Sequence, residues 1–368
     1  MTRSSLGALA FLLCVGLATP GTSAIAASSN TSQKQTATAK KAGSTKPAAK
    51  SAANQKASAK KTVTKQAAKP RNSKPRKPVK TVKKKAAAGV AAAGAVMTVG
   101  DRAGLGRVRD ELDLASNVAL VIDQQSSTVL FAKNSTAVLP IASLTKLMTA
   151  LVVVEAGLDM DEVLTISTDD IDRIKGTGSR LHMGARLTRG DMMHIALMSS
   201  ENRAASALGR HYPGGLGAFV AAMNLKAAEL GMMDSYFVEP TGLSSENVSS
   251  ARDLARLVMA AYQYPELRDY STGNEASVLP GKRVLQYRNS NILVGNPKWE
   301  IGLQKTGYIA EAGRCLVMQA VIEGRPVVMV FLDSKGKLSR IGDAGRIRKW
   351  LESTKFSVMS SAAPGLSG

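Results

Sequence analysis

Pro140-Ile141-Ala142-Ser143-Leu144-Thr145-Lys146-Leu147-Met148-Thr149-Ala150 places a serine and a lysine three residues apart where an apolar helix begins. Leu144, Leu147, Met148 and Leu151 recur at helical spacing, so the helix starts near Ser143 and is buried. Residues three apart share one helix face, so the Ser143 hydroxyl and the Lys146 amine can meet. Backbone N–H groups at a helix start also favour negative charge developing there. A lysine accepts a proton from a hydroxyl only when it is itself neutral. Burial and a second cation both lower its pKa. The apolar neighbours of Lys146 predict burial, and Lys305 is the candidate cation. The same spacing at Ser58…Lys61 and at Ser334…Lys337 falls in a Lys/Ala-rich stretch and a Gly/Lys turn, without an apolar helix behind it.

Two further motifs complete a set. Ser200-Glu201-Asn202 follows the apolar run that ends at Met198, in a short connection between helices that can project side chains into a cleft. An identical tripeptide, Ser245-Glu246-Asn247, follows Pro240-Thr241-Gly242 in a polar loop, where such residues usually make turns. Context favours the earlier copy, with the later one as its rival. Lys305-Thr306-Gly307 occurs once, inside a β-rich run. A glycine there costs packing unless something must approach the backbone closely. A strand edge at that point can pair with substrate main chain while the lysine and threonine meet a carboxylate. Together the motifs supply a nucleophile, a base and a cationic strand edge, the parts of an active-site-serine acyl transferase.

Other chemistries lack their residues. The three histidines, His182, His194 and His211, form no His-Glu-x-x-His, and no Gly-x-Ser-x-Gly exists, so neither a metallohydrolase nor an α/β-hydrolase is expected. No metal and no cofactor is expected. His194 lies within a helical apolar run and reads as structural.

Asn117 to Asp123 and Thr128 to Lys133 read as a hairpin. Thr188 with Asp191 caps a helix over Met192 to Met198, and further helices are predicted around Arg203–Arg210, Ala218–Leu230 and Ala251–Tyr262. Ile301–Tyr308, Arg314–Ile322 and Pro326–Leu332 are β-rich, and a last helix covers about Asp343–Leu351. Strands at both ends with helices between them predict an α/β (α+β) architecture. One antiparallel sheet, completed by both ends of the chain, is flanked by helices and joined by a mostly helical lobe.

Charge divides the chain. Residues 1–100 hold 19 of the 49 Lys and Arg and no Asp or Glu, leaving 30 basic against 28 acidic residues beyond. Arg3, an apolar run from Leu6 to Ala18 and small residues at Ala24 and Ala26 resemble a cleaved secretory signal over 1–26. Cys315 is then the only cysteine left, so no intramolecular disulfide is expected. Residues 27–104 are Lys/Ala-rich and free of aromatics, and read as a disordered basic tether. Adhesion to an anionic wall or membrane surface and a plain solvated spacer are both open. Export argues against a nucleic-acid partner. The folded domain is placed at 105–357, with a disordered tail over 358–368.

The Pro140–Ala150 stretch, Ala196-Leu-Met-Ser-Ser-Glu-Asn-Arg-Ala-Ala205, His211-Tyr-Pro-Gly-Gly215, Val238-Glu-Pro-Thr-Gly-Leu243, Lys305-Thr-Gly-Tyr308 and Gly313-Arg-Cys-Leu-Val-Met318 resemble the low-molecular-mass penicillin-binding proteins. Among these they look most like the D-alanyl-D-alanine endopeptidases of the penicillin-binding protein 7 type. The similarity covers about Asn117 to Leu351. It implies the D,D-peptidase/β-lactamase-like fold, with peptidoglycan peptide cross-links as substrates and β-lactams as covalent inhibitors. By position it makes Ser143 the nucleophile, Lys146 the base and Ser200 a proton relay. Asn202 would bind substrate amide, Lys305 supply positive potential and Thr306 recognise a carboxylate. The N–H groups of Ser143 and Tyr308, beside Gly307, would form the oxyanion hole. An exported, periplasmic D,D-endopeptidase is the expectation, with a D-alanyl-D-alanine carboxypeptidase as the near alternative. A β-lactamase and a non-enzymatic wall-binding protein rank behind these.

Overall fold

The computed structural model describes residues 97–361. The signal expected at 1–26, the tether up to residue 96 and the tail from residue 362 lie outside the described residues. A helical turn, α1 (Val99–Arg102), comes first, then the hairpin β1 (Ser116–Asp123) and β2 (Val129–Lys133). Next β3 (Leu139–Pro140) leads through a tight turn, Ala142–Leu144, into α2 (Thr145–Glu155). The small hairpin β4 (Val163–Thr165) and β5 (Arg186–Thr188) precedes α3 (Arg189–Met198), α4 (Asn202–Arg210) and α5 (Gly215–Glu229). Strand β6 (Val248–Ser249) pairs with β3, and α6 (Ala251–Ala261) and α7 (Pro265–Thr272) follow. A second small hairpin, β7 (Glu275–Val278) and β8 (Leu285–Arg288), leads to β9 (Glu300–Ile309), β10 (Gly313–Ile322), β11 (Arg325–Ser334) and α8 (Ser339–Ser361).

The main sheet runs β2-β1-β11-β10-β9, antiparallel throughout, so both ends of the chain complete it as expected. Successive side chains along a strand face opposite sides. Val118, Leu120 and Ile122 of β1 join one core, with Val328, Val330 and Leu332 of β11. Ala119, Val121, Val327, Met329 and Phe331 join a second core under Ala344, Ile347 and Leu351 of α8. Burial on both faces explains why these strands read as unbroken apolar runs rather than alternating ones. In the helical lobe, α2 is buried from Thr145 to Val153, which its all-round apolar sequence requires.

The ordered body is longer at both ends than expected. Thr98 caps α1 by accepting from the Asp101 N–H at 3.0 Å, and its hydroxyl donates to Asp333 at 2.9 Å. The Val99 N–H donates to the Glu311 carbonyl at 2.9 Å. A Cβ on Gly100 would stand 2.1 Å from the Asp333 carboxylate, so residues 97–104 belong to the folded domain, not to a tether. At the other end α8 continues to Ser361, past the expected limit at 357.

Candidate active site

Ser143 sits in the Ala142–Leu144 turn, one residue before α2, and Lys146 occupies the first turn of that helix. The turn is forced. Ala142 has φ +50°, a left-handed conformation that alanine rarely adopts. Two glycines from distant parts of the chain hold it there. A Cβ on Gly242 would fall 1.9 Å from the Ala142 carbonyl oxygen. One on Gly307 would fall 3.0 Å from the Ile141 carbonyl and 3.2 Å from the Ser143 nitrogen. The glycine in β9 therefore has the close backbone approach that its place in a strand implied. It also brings the strand edge at Gly307, next to Tyr308, against the Ser143 nitrogen.

Lys146 is buried, and its Nζ lies 2.9 Å from Ser143 Oγ, 2.8 Å from Asn202 Oδ1 and 2.5 Å from the Thr241 carbonyl oxygen. Burial lowers its pKa to about 8, against the opposing pull of Glu239, Glu201 and Asp172. A neutral amine keeps two N–H groups, which Asn202 and Thr241 occupy, and one lone pair that faces the Ser143 hydroxyl. Lys305 is not what depresses Lys146, contrary to expectation: burial carries the effect. The repulsion falls instead on Lys305, fully buried between Lys146 and Arg340 and held well below the ordinary lysine range, first by burial. Its Nζ donates to the Thr306 carbonyl at 2.8 Å.

The two copies of Ser-Glu-Asn separate cleanly. Ser200 has φ +65° and lines the cleft; Glu201 caps α4, and Asn202 opens that helix with its amide between Lys146 and Thr177. Asn247 is fully buried outside the cleft. It donates to Thr145 Oγ1 at 3.1 Å and to the Glu239 carbonyl at 2.9 Å, and accepts from the Val238 N–H at 2.8 Å. Far from being an exposed turn residue, it braces the loop whose Thr241 carbonyl holds Lys146. Glu239 helps from the same loop, accepting from the Thr241 and Gly242 N–H groups at 2.6 Å each.

A cleft of 390 Å³ collects Ser143, Ser200, Asn202, Thr306, Gly307 and Tyr308. Thr306 Oγ1 and Ser290 Oγ are 2.7 Å apart, forming a hydroxyl pair that can donate to a carboxylate. Sequence reasoning missed Ser290, Thr177 and Arg340, all in the cleft wall. Arg340 is buried at the start of α8 with Nε and Nη1 unpartnered among the described residues. Burial lowers its pKa, yet a guanidinium keeps its proton, so Arg340 stays charged in the cleft wall, where Lys175 is paired with Glu311. His194 lies outside the cleft, stacked on Tyr270 at 5.1 Å.

A serine facing a buried lysine one helical turn on, against the edge of a five-stranded antiparallel sheet, defines a serine peptidase of the penicillin-binding fold. The chain belongs to the D-alanyl-D-alanine carboxypeptidase family, peptidase S11, whose model matches residues 106–336. It is 49% identical over 253 residues to the D-alanyl-D-alanine endopeptidase of Pseudomonas aeruginosa, covering 68% of this chain and 82% of that one. With the D-alanyl-D-alanine endopeptidase of Escherichia coli it is 45% identical over the same shares. Among solved structures it is similar to penicillin-binding protein D2 from Listeria monocytogenes in its cefotaxime-bound form. There the TM-score is 0.59 and the identity 28%, covering 66% of this chain and 98% of that one.

Proposed function

We propose that the protein is an exported, periplasmic serine D,D-endopeptidase that cuts D-alanyl cross-links in peptidoglycan through an acyl-enzyme on Ser143. The observation that carries this reading is the Lys146 amine, 2.9 Å from Ser143 Oγ with its other hydrogen-bonding positions already occupied. Neutral Lys146 takes the Ser143 proton as Oγ attacks the D-alanyl carbonyl carbon. The oxyanion lies between the N–H groups of Ser143 and Tyr308, at about 3 kcal/mol per donor. Ser200 passes the proton to the leaving nitrogen, the C–N bond breaks and an ester remains on Ser143. Water, deprotonated by the same amine, then hydrolyses the ester and restores the serine. Asn202 orients the substrate amide, and the Thr306–Ser290 hydroxyls take the leaving-side carboxylate. That anion also favours the charged form of Lys305. A β-lactam offers the same carbonyl and carboxylate, and so acylates Ser143. The endopeptidase names of the two relatives support cross-links over free D-alanyl ends.

Digestion of purified cross-linked muropeptides, read by mass spectrometry, tests the proposal. Dimers should become monomers, and Ser143→Ala should lose both this activity and labelling by a fluorescent penicillin while keeping its melting temperature. Loss of one terminal alanine from pentapeptide monomers, with dimers intact, would mean a carboxypeptidase instead. Export is tested separately: the mature N-terminus should be Ala27.

A further inference from the structure

Beside the cleft lies a larger hollow of 860 Å³, and Tyr308 and Ala310 line both spaces. Its walls come from residues 97–107 ahead of β1, from the β9–β10 turn and from the loop after β11. Four cations surround it: Arg107, Arg314, Lys335 and Lys337. Lys335 is neutralised by Asp101 at 2.6 Å. The Arg314 guanidinium lies over the Tyr308 ring, 4.5 Å from its centroid. Among the described residues, Arg107, Arg314 and Lys337 have no carboxylate partner. Like charges gathered around one concavity raise the local concentration of anions.

The direction of the substrate follows from β9, the edge strand of its sheet. On the proposed mechanism the scissile carbonyl lies at Ser143, whose nitrogen packs against Gly307 next to Tyr308, and the leaving-side carboxylate lies near the Thr306–Ser290 hydroxyl pair. These two points make the substrate run antiparallel to β9. Its leaving side heads towards Thr306, and its acyl side passes Ile309 and Ala310 into the hollow. We propose that this hollow is the acyl-side subsite, where carboxylates of the acidic stem peptide upstream of the scissile D-alanine meet Arg107, Arg314 and Lys337. The proposal rests on the D,D-peptidase reading above and deepens it: a substrate is held by the charge of its acyl-side peptide as well as by its D-alanine.

The test compares the full chain with Arg107→Glu/Lys337→Glu, two exposed positions outside the catalytic cleft. Three measurements are made: hydrolysis of a cross-linked muropeptide dimer with free acyl-side carboxylates, hydrolysis of the same dimer with those carboxylates amidated, and acylation by a penicillin with a neutral side chain. The double variant should raise KM for the free-carboxylate dimer about tenfold with kcat nearly constant. The other two measurements should not change. An unchanged KM, or an equal loss on the amidated dimer or the penicillin, overturns the proposal. If the unaltered enzyme cleaves no muropeptide, the endopeptidase reading fails by itself. Slowing of penicillin acylation by the acidic stem peptide then decides: present in the unaltered enzyme and absent from the variant supports the subsite, and equal in both refutes it.

Discussion

Replacing Asn202 by Asp tests whether Lys146 works as a neutral base. With a pKa of about 8, roughly a tenth of Lys146 is neutral at pH 7 and roughly a hundredth at pH 6. Acylation by a penicillin should therefore rise nearly tenfold between pH 6 and 7, then level off above pH 8. Asn202→Asp puts a carboxylate where an amide oxygen now stands 2.8 Å from Nζ. An opposite charge so close favours the charged amine and raises its pKa by about 1–3 units. At pH 7 the neutral fraction should fall at least about tenfold, and the acylation rate with it. The distinguishing result is recovery: the variant's profile should keep climbing above pH 8, where the unaltered enzyme is flat. Stopped-flow acylation across pH 6–10, with circular dichroism to confirm folding, reads both curves. A loss that is the same at every pH would mean that Asn202 acts only on substrate and that Lys146 is not the base.

Gly242→Ala should destabilise the fold by at least about 2 kcal/mol and nearly abolish acylation, because φ is +78° and the new Cβ would overlap the Ala142 carbonyl; a normal melting temperature with normal labelling would refute the clamp. Asn202→Ala should slow acylation about 10- to 100-fold with little change in melting temperature, because a substrate hydrogen bond and the 2.8 Å contact to Lys146 are both lost. Asn247→Ala should differ by its thermal effect, costing about 3 kcal/mol of stability by stranding the buried partners around Thr145, Glu239 and Val238, and should slow acylation indirectly through the loosened Thr241 loop; equal thermal losses for the two variants would contradict their different burial. Removing residues 27–96 should leave cleavage of small soluble muropeptides intact and weaken sedimentation with anionic wall material at low salt, the difference shrinking as salt screens the charge; identical sedimentation would leave a spacer. The cut must stop before Thr98, whose hydroxyl holds Asp333.

What the sequence revealed was whatever repeats along the chain. Helix α2 and strands β10 and β11 are buried over most of their length and β9 through its middle, so their apolar runs outlined them. The apolar neighbours of Lys146 foretold its burial because they lie on its own helix. Features built from single long-range contacts left no such trace. Arg340 is a lone arginine at a helix start, and only the fold carries it to the cleft. Thr177 reaches Asn202 from a loop fastened by Asp172, which accepts from the Thr177 N–H and hydroxyl at 2.8 and 2.7 Å. Helix α7 announces itself only by Pro265 at its first position, since Leu267 and Ser271 are its buried residues. Asn247 misled because a turn-forming residue can also spend its hydrogen bonds in the interior. The segment 97–104 did carry a signal, Thr98 three residues ahead of Asp101, but it is preceded by a long polar, Lys/Ala-rich stretch.

The same long-range contacts explain why the site can hold arrangements that the chain would not adopt locally. Ala142 and Ser200 both have left-handed backbones without being glycine, at about 1–3 kcal/mol each. Lys146 and Lys305 are buried against their preference for charge, and Arg340 is buried with donors unmet. None of these stabilises the fold. Ser200 and Arg340 line the cleft, and Ala142, Lys146 and Lys305 lie next to residues that do. They persist because rigid neighbours on three sides leave no room to relax. Gly242 presses from the Glu239 loop, Gly307 presses from β9, and α2 is packed into the larger core behind them. Relaxing Ala142 would drive its carbonyl into one of those backbones, so the strain stays where it aims Ser143 Oγ at Lys146. The two glycines thus serve the proposed nucleophile by what they lack. A side chain at either would push the turn away from the amine, and the 2.9 Å contact on which the proposed proton transfer rests would be the first to go.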